Sequence, residues 1–418
     1  MERRRVVVTG MGVLSPIGNT VADAWHSAAN GISGIDYIQR FDTTDLPVTF
    51  GGEVRNFDPL EAFGPREVRR MDRLSHLAAD AARQALEDSG LQVTDENCWE
   101  IGVIVGTGIG GIETTIEGVK RILEKGSRSI SPLLVPMMIP DAPSAKISIM
   151  WNLRGPNMAL STACATSNNA IGEASEMIRR GTADAMLAGG SEAGLVPLAM
   201  ASFNNMQAIS RRNDDPKAAS RPFDRDRDGF VVSEGSALLM LEELEHAKAR
   251  GAHIYAEVMG YGQSSDAYHI TAPLERGEGA QVAMKKALKD ADLTVNDIQY
   301  INAHGTSTAL NDSSETKAIK SVFGEQAYNI PVSSTKSVTG HMMGSAGAVE
   351  AVLSIMALNE QFIPPTINLD NPADDCDLNY VPNQGISAQL EHVMSNSFGF
   401  GGHNAVLIFG RYSAANGS

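Results

Sequence analysis

GPNMALSTACATSNNAIGEASEMI, from Gly155 to Ile178, reads as a strand, a turn of very small residues and then a helix. NIPVSSTKSVTGHMMGSAGAVEAVLSI, from Asn329 to Ile355, runs through the same events in the same order. Each is followed by a strand carrying a glycine pair: ADAMLAGGSEA (Ala183–Ala193) after the first, HVMSNSFGFGGHNAVLIF (His392–Phe409) after the second. This pattern predicts a duplicated α/β unit with its halves joined near residue 255. The expected division is 1–255 and 256–412, with a short tail at 413–418.

Other segments fit that plan. RRVVVTGMGV, EIGVIVGTGIGG and GSALLMLEEL read as buried strands, two of them running into glycine turns. RLSHLAADAARQALEDSG reads as a helix with Leu74, Leu77, Ala78, Ala81 and Ala82 on one side and Gly90 as its stop. Strands alternating with helices predict largely parallel pairing.

Bulk composition narrows the function classes. The chain has 418 residues, 43% of them hydrophobic, with 40 glycines and few aromatics. That is enough for a large core, with many tight turns. The net charge of −16 disfavours a general nucleic-acid binder. The three cysteines, Cys98, Cys164 and Cys376, match no zinc or CxxC spacing, and their odd number argues against a disulfide framework. A reducing, cytoplasmic setting is expected. The first apolar run is short and broken by glycine, and no segment offers about 18 uninterrupted apolar residues, so neither secretion nor a membrane span is expected.

GTGIGG, from Gly106 to Gly111, matches the spacing of a dinucleotide-binding turn. After it comes a charged helix, EGVKRILEKGSRS, and not the second strand with a terminal acid that such a site needs. The glycines therefore read as a tight turn.

The chemistry-bearing residues are sparse. Cys164 lies where an apolar-periodic helix begins, among Thr162, Ala163, Ala165 and Thr166. Small neighbours leave room for a substrate, and a helix start lowers a thiol pKa that begins near ~8.5. A buried structural cysteine is the alternative. Of nine histidines, His304 follows a strand in INAHGTSTALND, and His341 lies five residues after Lys336 in SSTKSVTGHMMGSAG. Both occupy positions where α/β sheets place ligand sites. Two histidines with no third ligand at metal spacing do not make a zinc site.

STACATS around Cys164, NAHGTST with His304, SSTKSVTGHMMGSAG with Lys336 and His341, RPFDRDRDGFVVSEGS and NSFGFGGHN occur in order along nearly the whole chain. In these motifs the sequence resembles the β-ketoacyl-acyl carrier protein synthases, condensing enzymes of the thiolase-like superfamily, and most of all their Cys-His-His elongation branch, synthase II. The resemblance implies a five-layered αβαβα fold of two similar halves. It implies an acyltransferase that elongates fatty acids by decarboxylative condensation of malonyl-carrier protein with a Cys164-bound acyl chain. His304 and His341 would act as neutral donors to the malonyl thioester oxygen. The backbone N–H groups of Cys164 and Phe400 would form an oxyanion hole, with Gly399 and Gly401 permitting a gate.

The resemblance further pairs Lys336 with a glutamate, taken as Glu315. It gives Thr306 and Thr308 to the pantetheine arm and Ile109 to the acyl pocket. Some relatives bind a monovalent cation at positions matching Asn302, Glu350, Ser395 and Asn396; a structural role without an ion is the alternative there. No organic cofactor is implied. The implied partners are an acidic acyl carrier protein and a second copy of the chain. Docking falls to Arg66, Arg69, Arg70, Lys125, Arg128 and Arg211, charge runs that otherwise read as solvated helix faces. Three other readings compete: a thiolase, disfavoured because FGFGGHN has no cysteine; a non-catalytic chain-length subunit, disfavoured because Cys164 is present; and a polyketide synthase subunit.

Overall fold

The structure is a computed structural model and describes residues 3–413; of the expected tail, residues 414–418 lie outside the described residues. Ten strands make one hydrogen-bonded sheet: β1 (Val6–Leu14), β2 (Ile101–Gly106), β3 (Asn157–Met158), β4 (Ala185–Glu192), β5 (Gly235–Glu243), β6 (Ala256–Ser265), β7 (Tyr300–Asn302), β8 (Val332–Ser333), β9 (His392–Gly399) and β10 (His403–Gly410). Their order is β8-β7-β9-β10-β6-β1-β5-β4-β2-β3. From the centre outward, β1-β5-β4-β2-β3 and β6-β10-β9-β7-β8 are the same order. The directions match too: in each half the first two pairings are antiparallel and the outer two parallel.

β1 and β6 join through only two residue pairs, Val7 with Glu257 and Val8 with Ala256. Two helices explain why the junction is so short. The helix after Cys164, α2 (Thr166–Arg179), packs on β2, β4 and β5 and also on β6 and β10. The counterpart helix, α5 (Ala346–Glu360), packs on β9 and on β4 and β5, and the two helices touch each other. Helices that contact both half-sheets can only lie between them, so the sheet folds back on itself at the β1–β6 seam. On the outer faces lie α1 (Arg73–Ser89) over β1 and β5, and α3 (Glu278–Asp290) over β6 and β10, with α4 (Ala309–Phe323) beside α3. The result is the five-layered αβαβα architecture.

Local chemistry accounts for these elements. α1 is capped by Asp72, whose carboxylate accepts from Leu74 N at 3.1 Å, and stopped by Gly90 at φ +62°. Its buried face carries Leu74, Leu77, Ala78, Ala81, Ala82 and Ala85. α5 has almost no polar face: every residue from Ala346 to Ile355 is buried. That is what a helix enclosed between two sheets requires.

The outer helices approach their strands at glycines. A Cβ at Gly12 would collide with the Ala81 carbonyl oxygen of α1, and one at Gly10 with that of Ala85. In the second half, Gly262 meets the Ala283 carbonyl of α3, and Gly260 that of Ala287. Thus GMG in β1 and GYG in β6 are the same packing device used twice. Gly12→Ala and Gly262→Ala should each destabilise by about 1–3 kcal/mol, the usual cost of overpacking. A thermal-unfolding midpoint unchanged in both variants would show that the helices can lift away freely.

Candidate active site

The site forms where the two middle-layer helices begin. Ala163–Ala165 make a single 3-10 turn ahead of α2, and Met343–Ser345 make the matching turn ahead of α5. Both turns open on a non-glycine residue in the left-handed region, Ala163 at φ +50° and Met343 at φ +47°. Such residues cost about 1 kcal/mol or more and persist only where packing dictates them. Here they turn Cys164 out of the helix line and into a cleft of about 490 Å³. The cleft is lined by Cys164, His304, His341, Thr306, Thr308 and Phe398, among others.

His341 Nε2 lies 3.0 Å from Cys164 Sγ. The ligand-type atoms of Cys164, His304 and His341 all fall within 4.8 Å of one another. The ammonium of Lys336 stands 3.3 Å from His304 Nδ1, on the side away from the cleft. A lysine has only protons to give, so Nδ1 is the acceptor and the His304 proton sits on Nε2. The His341 Nδ1 has no hydrogen-bond partner among the described residues, so either tautomer is open to it. Burial, and then the charge of Lys336, hold both imidazoles well below the usual histidine range. Both are neutral, so each can accept a proton as well as donate one to a developing oxyanion. The same ammonium beside His304 opposes a metal cation at this cluster.

Two expectations need correction. Lys336 does not pair with Glu315: its ammonium is bound by Glu350, on α5. Glu315 instead accepts the backbone N–H groups of His304 and Gly305, each at 2.8 Å, and the Asn396 amide at 3.2 Å. It braces the histidine loop from α4. Nor does the helix start lower the Cys164 thiol. Burial pushes it up to about 11, against the pull of the Lys336 charge and of the Phe400 N–H. The resting group is a thiol beside a neutral base.

The other residues singled out in the sequence surround this cluster or brace it. The Phe400 N–H points at the Cys164 sulfur. Gly399 packs so tightly on the nucleophile turn that a Cβ there would lie 2.9 Å from Cys164 N. Gly401 is not at the cleft wall; it takes φ +82° and donates to the Ile270 carbonyl at 2.7 Å. Thr306 and Thr308 share a hydrogen bond of 2.9 Å in the cleft wall, and Thr308 also caps α4. Ile109 lines the cleft and is partly exposed to it.

Asn302 and Ser395 are register partners on β7 and β9, with Asn396 next along. The Asn302 Oδ1, Glu350 Oε2, Ser395 Oγ and Asn396 Oδ1 atoms are buried without hydrogen-bond partners among the described residues. Orphaned buried oxygens of this kind suit a hard cation.

The basic residues separate into two places. Arg66, Arg69, Arg70, Lys125 and Arg128 are exposed, and Arg69 lines a second hollow with Arg121. Arg211 is instead near the cleft, bonded to Asn204 Oδ1 at 2.9 Å and, through its backbone, to the cleft-lining Asp228.

Several neighbours had no sequence signal. Phe230 and Phe398 pack edge-on against His341 and His304, with centroids 5.3 and 5.8 Å away. Glu192 is fully buried behind the cleft. Lone aromatics and a lone glutamate have no spacing that marks them.

A thiol pKa above the solution pH leaves a thiolate fraction that grows tenfold per pH unit. Alkylation of Cys164 by iodoacetamide, followed by peptide mass spectrometry, should therefore climb about tenfold per unit between pH 7 and 9. A rate already flat at pH 7 would mean that a standing thiolate is present.

The profile described as "Beta-ketoacyl synthase, N-terminal domain" matches residues 3–247, and that described as "Beta-ketoacyl synthase, C-terminal domain" matches residues 255–370. The 3-oxoacyl-[acyl-carrier-protein] synthase 2 of Synechocystis sp. is 51% identical over 412 residues, covering 99% of both chains. Its Vibrio cholerae namesake is 51% identical over 413 residues, covering 98% of this chain and 100% of that one. Among solved structures, a Beta-ketoacyl synthase from Burkholderia phymatum superposes with a TM-score of 0.91 at 38% identity, over 98% of this chain and all of that one. A type II PKS ketosynthase solved with its acyl-carrier protein has the same TM-score at 36% identity, over 99% of this chain and all of that one. With a thiol in the cleft, two neutral imidazoles and this likeness along its whole length, the chain belongs to the β-ketoacyl synthase family.

Proposed function

We propose that the Cys164–His304–His341 cluster carries out the reaction of a 3-oxoacyl-[acyl-carrier-protein] synthase 2, the condensing acyltransferase of fatty acid elongation. The full-length identity to enzymes of that name supports the reaction. The observation that carries the residue roles is the 3.0 Å contact between Cys164 Sγ and a neutral His341.

The thiol attacks the carbonyl of an acyl thioester while His341 Nε2 takes its proton. The N–H groups of Cys164 and Phe400 hold the oxyanion. As the tetrahedral intermediate collapses, the pantetheine sulfur leaves and receives that proton. The acyl chain is then on Cys164. A malonyl thioester next enters along Thr306 and Thr308. Its carboxylate departs as carbon dioxide, and the electron pair of the broken bond becomes an enolate. The Nε2–H of His304 stabilises the enolate oxygen, joined by that of His341 once it has changed tautomer, losing its Nδ1 proton and taking one at Nε2, and burial strengthens both bonds. The enolate carbon attacks the acyl carbonyl, the new carbon–carbon bond forms, and Cys164 leaves as thiolate to be reprotonated.

Surface chemistry indicates the partners. An acidic carrier protein would meet Arg66, Arg69, Arg70, Lys125, Arg128 and Arg211. A second copy of the chain would cover the β3 edge, where Asn157 and Met158 are exposed. Val119, Ile122, Leu123, Val135 and Ile149 are exposed on the helical segments nearby and need such a cover. A division at residue 255 is supported by β6 beginning at Ala256, which pairs with β1. The three cysteines are free, in keeping with a reducing compartment, and among the described residues no helix is long and apolar enough to cross a membrane.

Incubation with a long-chain acyl-carrier protein should add the acyl mass to Cys164, and malonyl-carrier protein should discharge it as a product two carbons longer. An adduct that persists in Cys164→Ala would end the nucleophile assignment. The oxygens of Asn302, Glu350, Ser395 and Asn396 are proposed to hold a monovalent cation. Potassium or sodium chloride should then raise the unfolding temperature above that in tetramethylammonium chloride at equal ionic strength, and Ser395→Ala should reduce the difference. Equal midpoints in all three salts would leave those residues with a purely structural role.

A further inference from the structure

The GTGIGG turn binds no dinucleotide, yet its glycines have a purpose. The carboxylate of Glu192, at the end of β4, is buried against it. Oε1 accepts from Thr107 Oγ1 at 2.8 Å and Ile109 N at 3.3 Å. Oε2 accepts from Gly108 N at 2.7 Å and Gly344 N at 3.0 Å. One carboxylate thus ties together two loops from opposite halves: the turn after β2 and the turn that opens α5. No cation pairs with it among the described residues; backbone amides and a hydroxyl supply all its hydrogen bonds. The approach is close enough to demand glycine at both ends. A Cβ on Gly108 would lie 2.8 Å from Glu192 Oε2, and one on Gly344 would lie 2.7 Å from the same oxygen.

The two loops carry the wall of the cleft beside the nucleophile. Ile109 and Met343 both line it. Their side chains meet over Gly194, two residues beyond the carboxylate. A Cβ on Gly194 would strike Met343 Cε and sit 3.2 Å from Ile109 Cδ1.

Building on the condensing function proposed above, we propose that Glu192 is a positioning residue that sets the depth of the acyl end of the cleft, by holding Ile109 and Met343 together over Gly194. It touches neither substrate nor the reacting atoms. A released loop can move into the cleft, the open space that Ile109 and Met343 line. Depth matters to long acyl donors and not to short ones.

Two variants reach the device by different routes. Glu192→Gln keeps the shape but turns an amide N–H group toward donors that need an acceptor. Gly194→Ala leaves the carboxylate alone and pushes directly on Met343 and Ile109. The measurement is kcat/KM for acylation of Cys164 by C16 and by C6 acyl-carrier protein, with folding checked by circular dichroism. The C16:C6 ratio should fall about tenfold in both variants, through loss of the long donor. A ratio within threefold of wild type in either folded variant overturns the proposal. If Glu192→Gln does not fold, Gly194→Ala decides alone. A wild-type protein that takes up neither donor would instead defeat the reading of the site, and this inference with it.

Discussion

An ammonium group with 1% of its surface exposed governs this site. Glu350 binds Lys336 there, and losing one partner of such a buried pair costs about 3–5 kcal/mol. Burial lifts the Glu350 carboxyl to about 7 even against the opposing pull of the lysine charge. The chemistry of the cleft depends on this pair. The ammonium fixes the proton of His304 on the cleft side, and its charge adds to burial in keeping His304 and His341 neutral. Neutral imidazoles can receive a thiol proton or donate to an enolate. Protonated ones could do only the second. Because Glu350 belongs to α5, the electrostatics of the cleft are anchored in the middle layer of the fold.

The parts of this arrangement legible in the sequence are those with local signatures. Small residues around Cys164, a glycine after His304 and the repeated strand-turn-helix order are all features of neighbouring positions. They lead directly to α2, α5 and the three reacting residues. The partner of Lys336 is not legible, because Glu315 and Glu350 are both acids on nearby helices. Which one meets the lysine depends on which helix lies between the sheets. The thiol is misjudged from sequence for a related reason: a helix start is visible there, but the depth at which it is buried is not, and burial wins.

The duplication shows the same limit. GMG and GYG are plain in the sequence, yet they look like ordinary strand glycines until the helix above each is in place. Then each glycine faces a carbonyl oxygen of its helix, and the two halves superimpose in meaning as well as in strand order. The halves have nonetheless diverged at equivalent points. The turn before α2 presents a thiol, while the turn before α5 presents Gly344, whose amide is bound by Glu192. In the function proposed above, one copy supplies the nucleophile and the other a purchase for holding the cleft in shape.

The enclosed middle layer has a consequence for how the chain comes into being. α2 leaves the ribosome long before α5 and the second half-sheet exist. Until they do, α2 has a covering on one side only, and it touches β6 and β10 only when the seam between β1 and β6 has closed. α5 is buried on every side from Ala346 to Ile355 and has no water-facing side there to wait on. A nascent first half therefore carries an uncovered face until the second half-sheet arrives, the kind of transiently exposed surface that favours aggregation in larger proteins.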